Sequence, residues 1–107
     1  MQSLTALELT AWLKDTAQEK PVLLDVREPW EFETCHIEGS LAMPMNTVPG
    51  KHSELETEQP IVCICHHGVR SMQVAMYLEQ QGFTRVINLT GGVDAWAKQV
   101  DGTMPTY

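Results

Sequence analysis

The chain has 107 residues, 43% of them hydrophobic, and a formal net charge of −7. This size fits one domain with its own core and is too small for two. The negative charge argues against nucleic acid and anionic membranes as partners, and no apolar run approaches the ~20 residues of a membrane span. The three cysteines are an odd number, and no basic segment followed by an apolar run opens the chain. We therefore expect reduced thiols and a soluble cytoplasmic protein rather than a disulfide framework.

The first elements predicted along the chain are a helix and a buried strand. A hydroxyl followed three residues later by a glutamate forms a capping-box pattern at Thr5, which predicts a helix to about Asp15. The apolar run at residues 22–26 predicts a buried strand. Asp25 and Arg27 lie at the carboxyl end of this strand, where α/β folds place groups that face a ligand. We expect both charges to tie loops together beneath such a site.

Short elements are predicted after this strand. Residues 28–32 suit a short helix with a proline in its first turn. We expect the following His36 to be a structural histidine with satisfied hydrogen bonds. Residues 41–50 predict a short extended piece followed by a turn, and the polar residues 51–58 predict a surface helix or loop.

A second buried strand is predicted at residues 61–64, which follow a proline and are β-branched apart from Cys63. From Ser71 onward, apolar residues recur at helical spacing, and Gly82 supplies a C-terminal stop. Cys65 therefore lies at the carboxyl end of a strand, directly before a helix.

The end of the chain repeats the order of strand and helix. Residues 85–89 predict a strand, Gly91 and Gly92 open a last helix, and residues 104–107 form a tail. This alternation predicts an α/β domain with a mostly parallel central sheet and helices on both faces. Its functional site is expected at the carboxyl ends of the strands.

The loop that begins at Cys65 favours an anion at its centre. A helix N-terminus directs unpaired N–H groups outward and carries about half a positive charge. Together with a nearby cation, it favours the thiolate form of a cysteine. Arg70 supplies such a cation and can hold an oxyanion with two parallel hydrogen bonds. Gly68 leaves the approach to the sulfur free of a side chain, so these residues describe a nucleophilic cysteine that faces a small anionic substrate.

Four motifs resemble, in order, those of the rhodanese family of sulfurtransferases. The sequence Cys-His-His-Gly-Val-Arg-Ser at residues 65–71 resembles the active-site loop of the family, between a strand and a helix. Residues 23–28 resemble its Asp-x-Arg strand end, and residues 31–40 resemble its Glu-[Phe/Tyr]-x-x-Gly-His-Ile-x-Gly-Ala element. Residues 89–96 resemble its Gly-Gly-x-x-x-Trp helix start. The resemblance covers nearly the whole chain.

The resemblance implies a single rhodanese-like domain over residues 1–107, with a three-layer α/β fold. It also implies a transferase that moves a sulfane sulfur from a donor to cyanide or a thiol through a persulfide on the catalytic Cys65. Its substrate-binding loop would contain His66, His67, Gly68, Val69, Arg70 and Ser71. Structural residues near the site would be Asp25, Arg27 and His36.

Several partners fit this implied activity. The donor would be a small anion such as thiosulfate or a protein persulfide, and the acceptor could be thioredoxin or glutathione. The net charge of −7 opposes the approach of thiosulfate, so the sequence does not identify thiosulfate as the natural donor. His66 and His67 either add positive charge when protonated or only form the pocket rim. No cofactor, metal, nucleic acid or membrane is expected.

Two features of the cysteines allow other roles. Cys35 replaces the glycine that precedes the histidine in the family motif, either as an ordinary substitution or as a thiol that resolves an oxidised Cys65. The sequence from Cys63 to His67 is also dense in soft metal ligands and could form a zinc or copper site. The position of Cys63 inside a buried strand argues against this metal site.

Two further functions are weighed against sulfur transfer. Four residues separate Cys65 from Arg70, whereas cysteine-dependent phosphatases of related fold typically have one more. By analogy, the shorter loop favours a single sulfur atom over phosphate or arsenate chemistry. A non-catalytic rhodanese-like module that binds partners or senses oxidation is the main alternative, although this chain keeps both the cysteine and the arginine.

Overall fold

Five strands form one parallel sheet in this computed structural model, which describes residues 2–107. They are β1 (Gln2–Leu4), β2 (Val22–Asp25), β3 (Leu41–Ala42), β4 (Ile61–Ile64) and β5 (Val86–Leu89), in the spatial order β1-β5-β4-β2-β3. The helices are α1 (Ala6–Lys14), α2 (Pro29–Thr34), α3 (Val48–Lys51), α4 (Val69–Gln80) and α5 (Gly92–Gln99), with 3-10 turns at Met45–Thr47 and His52–Glu54. Within residues 2–107, none of these helices is both long and apolar enough to cross a lipid bilayer.

Strand β4 lies in the middle of the sheet and is buried along its whole length. Its side chains alternate between the two faces, as the two-residue period of a strand requires. Cys63 packs in a core that includes Val74 and Leu78 of α4, whereas Ile64 packs with residues of α1 and α5. The sheet therefore lies between two helical layers, which confirms the predicted three-layer α/β fold.

The register of the sheet brings two strand ends to the same edge. Leu24 of β2 pairs with Cys63 of β4, and Asp25 pairs with Ile64. Because the strands are parallel, the residues that follow Asp25 and the loop that begins at Cys65 leave the sheet side by side. The predicted structural charges and the predicted nucleophile thus occupy one region, as parallel α/β sheets arrange them.

The structure differs from the sequence prediction at three elements. Helix α4 begins at Val69 instead of Ser71, because Gly68 adopts a left-handed conformation with φ 102° and caps the helix. Strand β1 was not predicted, since its residues are largely exposed and it joins the edge of the sheet by pairing with β5. Residues 48–51 form helix α3 within a segment for which an extended piece and a turn were predicted.

Candidate active site

The loop between β4 and α4 surrounds the sulfur of Cys65. This cysteine is 1% exposed, and the backbone N–H of Gly68 donates a hydrogen bond to Sγ at 3.0 Å. The left-handed conformation at Gly68 turns that N–H group inward, just where α4 begins. The loop therefore offers the sulfur a backbone donor and the positive end of a 12-residue helix, both of which stabilise a thiolate.

A chain of buried polar side chains continues from the sulfur. The thiol donates to Ser71 Oγ at 3.3 Å, and the hydroxyl of Ser71 donates to Asn88 Oδ1. The amide of Asn88 donates in turn to the carbonyl of Gly68 at 3.1 Å, which closes the ring around the loop. Asn88 was missed by the sequence analysis, although a single polar residue within the apolar strand of residues 86–89 is a signal for such a role.

The N-terminus of α5 holds the opposite side of the loop. The N–H of Val93 donates to the carbonyl of Cys65 at 2.9 Å, and the N–H of Asp94 donates to the carbonyl of His66 at 3.1 Å. Gly92 lies against the same two carbonyl oxygens, with φ +58°, and a side chain at this position would collide with them. Two helix N-termini thus fix the backbone on both sides of the cysteine.

Arg70 forms a bidentate ion pair with Glu31 of α2. The two guanidinium N–H groups donate to the carboxylate oxygens at 2.7 and 2.9 Å. Glu31 is 4% exposed, and its hydrogen bonds from Arg70 lower its pKa from 4.5 to about 2. Glu31 lies in the motif at residues 31–40, but its pairing with Arg70 was not predicted from the sequence.

The tail reaches the same region through Tyr107. Its hydroxyl donates to Glu31 Oε2 at 2.7 Å and accepts a hydrogen bond from Arg27 at 2.8 Å. Its ring stacks on His66 with a centroid distance of 4.2 Å and meets Trp30 edge-on at 5.4 Å. Burial, with the nearby Glu31 carboxylate, raises the pKa of Tyr107 to about 12, so the hydroxyl keeps its proton. From the sequence, Tyr107 was predicted only as part of a tail.

Arg27 and Asp25 form a buried ion pair behind the loop, with a distance of 2.7 Å. Arg27 also donates to the carbonyl oxygens of Cys35 at 2.6 Å and Glu31 at 3.3 Å. Through these bonds, one guanidinium connects the end of β2 with the segment at the end of α2. This arrangement supports the structural role expected for both charges.

The comparison with known proteins agrees with this architecture. Residues 9–99 match the family described as the rhodanese-like domain. The chain belongs to the rhodanese-like family. A sulfurtransferase of Allochromatium vinosum is 41% identical over 90 residues, which are 84% of this chain and 82% of that protein. The thiosulfate sulfurtransferase GlpE of Pseudoalteromonas translucida is 38% identical over 79 residues, which are 74% of this chain and 75% of that protein.

Solved structures of rhodanese-like proteins have the same fold. The crystal structure of a rhodanese-like domain protein from Staphylococcus aureus matches with a TM-score of 0.83 and 31% identity. The match covers 90% of this chain and 91% of that chain. A protein from Staphylococcus saprophyticus matches with a TM-score of 0.84 at 32% identity, over 94% of this chain and 97% of that one.

The two loop histidines of this rhodanese-like domain have different surroundings. His66 is half-buried and stacks on both Tyr107 and His67. Burial and the neighbouring His67 lower the pKa of His66, so it is uncharged at neutral pH. His67 is exposed and lies 3.9 Å from a carboxylate oxygen of Asp94. The histidines therefore lie on the rim of the loop, and only His67 has a largely exposed ring.

Val69 and His36, the remaining predicted site residues, make none of the hydrogen bonds around the sulfur of Cys65 described above. Val69 is exposed at the start of α4. His36 is exposed too, stacks on Phe32 with a centroid distance of 4.0 Å and shares a hydrogen bond of 2.8 Å with the carbonyl of Phe32. Its polar contact is thus local to the end of α2.

The two other cysteines are free and buried. Cys35 has an extended backbone, with φ −165°, so the change from glycine creates no backbone strain. Cys63 lies in the core, where burial and the neighbouring Cys65 raise its pKa to about 12. It is therefore a protonated packing residue of the core, in keeping with its position in a buried strand.

Proposed function

We propose that this protein is a sulfurtransferase that carries a sulfane sulfur as a persulfide on Cys65. The donor would be thiosulfate or a persulfide, and the acceptor would be cyanide or a thiol such as glutathione or thioredoxin. The observation that carries the proposal is the N–H of Gly68, which donates to the sulfur of Cys65 at the start of a helix. The sulfurtransferases among its relatives support the same chemistry.

The first step would transfer sulfur to the enzyme. The Cys65 thiolate attacks the outer sulfur of the donor, so a new S–S bond forms as the S–S bond of the donor breaks. With thiosulfate, sulfite leaves with the electron pair of that bond. In the thiol form, Cys65 donates a hydrogen bond to Ser71 Oγ, and its proton passes to solvent before the thiolate attacks.

The second step would return the enzyme to its initial state. An acceptor thiolate or cyanide attacks the terminal sulfur of the persulfide, and the Cys65 thiolate leaves with the electrons of the broken S–S bond. Between the steps, the terminal sulfur carries negative charge. The inward N–H of Gly68 and the positive end of α4 support such an anion, as oxyanion holes do for developing oxygen charge.

Arg70 would hold the anionic end of the donor. A guanidinium carries five N–H donors. Glu31 takes two of them, one from each terminal nitrogen. The side chain is 36% exposed and lines an open cleft with Val26, Glu28, Met45 and Asn46. The pairing with Glu31 keeps the guanidinium in place and also neutralises part of its charge. Because the remaining positive charge attracts a dianion such as thiosulfate only weakly, the pairing favours a donor of lower charge.

Formation of thiocyanate from thiosulfate and cyanide, with a small-molecule persulfide as second donor, tests the proposal. We expect turnover by the wild type and none by Cys65→Ser. Cys63→Ser is a poor control because it changes the core, so the matched control is Cys35→Ala, which should retain turnover. Activity of Cys65→Ser near the wild-type rate would contradict the proposal. A folded wild type that is inactive with both donors would favour the non-catalytic alternative.

A further inference from the structure

Three side chains from two elements converge on the rim of the catalytic loop. They are His66 and His67 of the loop and Asp94 in the first turn of α5. One ligand atom from each lies within 4.8 Å of the other two, and His67 Nε2 is 3.9 Å from Asp94 Oδ2. We propose that these three residues form a binding site for a divalent metal ion of borderline softness, such as zinc.

The backbone already holds the three residues together. The histidines are adjacent in sequence, and the N–H of Asp94 donates to the carbonyl of His66. Zinc bonds of about 2.0–2.2 Å at tetrahedral angles place ligand atoms about 3.3 Å apart. The side chains of His67 and Asp94 are 64% and 24% exposed, so rotations about their side-chain bonds can bring the ligand atoms to this separation. Rotation of His67 gives up its stacking on His66. The folded loop and helix thus supply the backbone ordering that metal binding needs, and the histidine rings reorient when the ion binds.

The donor set matches the proposed class of ion. Two imidazoles and a carboxylate provide three protein ligands and leave a fourth position for water, a common zinc arrangement.

This site differs from the thiol-based site considered from the sequence. Cys63 lies in the core, and the sulfur of Cys65 faces Gly68 and Ser71. The ligands proposed here need neither sulfur. The inference is also independent of the proposed sulfur transfer, because it concerns binding alone and its test does not measure turnover.

Lys98 would compete with a bound metal ion for the carboxylate of Asp94. Its ammonium group donates to Asp94 Oδ2 at 3.0 Å, one turn along α5. A bound cation would have to displace this exposed contact or share the carboxylate with it. Removing the ammonium group should therefore strengthen metal binding. If Asp94 served only as the ion-pair partner of Lys98, the same change would leave metal binding unaltered.

The experiment is a titration of the untagged protein with Co²⁺, followed by displacement with Zn²⁺. Cobalt reports its ligands through visible absorption, and a cobalt–thiolate bond would add intense near-ultraviolet absorption. We expect one Co²⁺ per chain in the wild type and in Cys65→Ser, without the thiolate band. Even outer-shell partners change metal affinity by about 10–100-fold, so His67→Ala and Asp94→Ala should each weaken binding roughly tenfold or more.

Matched variants decide between this site and adventitious binding. His52→Ala and His36→Ala remove histidines outside the site and should leave the affinity unchanged, while Lys98→Met should raise it. Circular dichroism establishes that each variant is folded. Equal affinity in wild type, His67→Ala and Asp94→Ala would overturn the proposal. So would a thiolate band that disappears in Cys65→Ser, because it would place the ion on the sulfur.

Discussion

At the scale of single residues, the hydroxyl of Ser71 has one proton and two possible acceptors. It donates to Asn88 Oδ1 while it accepts from the thiol of Cys65. Once the thiol has lost its proton, the same hydroxyl can turn and donate to the thiolate. Ser71 can thus stabilise the thiolate of Cys65, the proposed nucleophile, in addition to the N–H of Gly68.

Ser71→Ala tests this role. A hydrogen bond to a charged group contributes about 1.5–3 kcal/mol, so the variant should lose roughly tenfold or more in the rate of sulfur transfer. Ser53→Ala, at an exposed position, is the control. A transfer rate of Ser71→Ala equal to that of the wild type would contradict this role.

The ion pair of Arg70 and Glu31 makes stability depend on pH in a defined direction. The pKa of Glu31 is lowered from 4.5 to about 2, so the pair stabilises the fold above about pH 4.5 and loses this contribution as the pH falls towards 2. The shift corresponds to about 3 kcal/mol, which solvent screening at Arg70 reduces to ~2 kcal/mol.

Arg70→Met should therefore lower the free energy of unfolding by about 2 kcal/mol at neutral pH. Urea denaturation as a function of pH should show this difference shrinking between about pH 4.5 and about pH 2, where wild-type Glu31 also becomes protonated. Arg85→Met breaks an exposed pair with Glu19 and should change stability by less than about 1 kcal/mol. A difference between Arg70→Met and wild type that stays constant over this pH range would contradict the account.

At the scale of elements, the site depends on two helices that begin against one loop. Helix α4 is capped by the left-handed Gly68, and α5 starts at Gly92, whose lack of a side chain lets it touch the carbonyl groups of Cys65 and His66. Both glycines are required by geometry. Each has a positive φ, and an added side chain would collide with the backbone at Gly92 and make a tight contact of 3.3 Å with it at Gly68.

Gly92→Ala should displace the loop that begins at Cys65. The added methyl group would meet backbone oxygens, which cannot rotate away as a side chain would, so the variant should lose about 1–3 kcal/mol of stability and most of its activity. Gly50→Ala is the matched control, because no atom lies within 4 Å of its added methyl group. Thermal unfolding and the transfer assay measure both effects. Equal stability and activity of the two variants would contradict the close approach of α5.

Sequence patterns predicted the elements whose signals are local. The apolar run of residues 61–64, the glycines and the capping pattern at Thr5 each act within a few residues, and the central strand and α1 follow from them. Strand β1 was missed because its pairing with β5 depends on the fold rather than on its own largely polar sequence. Helix α3 was missed because it contains a proline and a glycine, which usually indicate a turn.

Partners that are distant in sequence explain what was missed in the candidate site. The sequence motif contains both Cys65 and Arg70, but Glu31 lies 39 residues from Arg70. Tyr107 lies 76 residues from Glu31, and no periodicity or spacing rule connects the two. Such contacts follow from the sheet order and the course of the tail. They could not be predicted from local pattern alone.

At the scale of the whole molecule, a chain with net charge −7 holds its site arginines in balanced pairs. Arg27 is paired with Asp25, and Arg70 is paired with Glu31. The tail joins both pairs through the hydroxyl of Tyr107. The site therefore has little excess positive charge with which to attract a dianion from solution. The hydrogen bonds of the loop, rather than long-range attraction, would provide the stabilisation of the sulfur anion.

The most direct test of the central claim is the intact mass of the protein after incubation with thiosulfate or a small-molecule persulfide. We predict that the wild type gains one sulfur atom, that a reductant removes it, and that Cys65→Ser gains none. Cys35→Ala should gain the sulfur as the wild type does. The same gain in Cys65→Ser, or no gain in the wild type with either donor, would contradict Cys65 as the sulfur carrier.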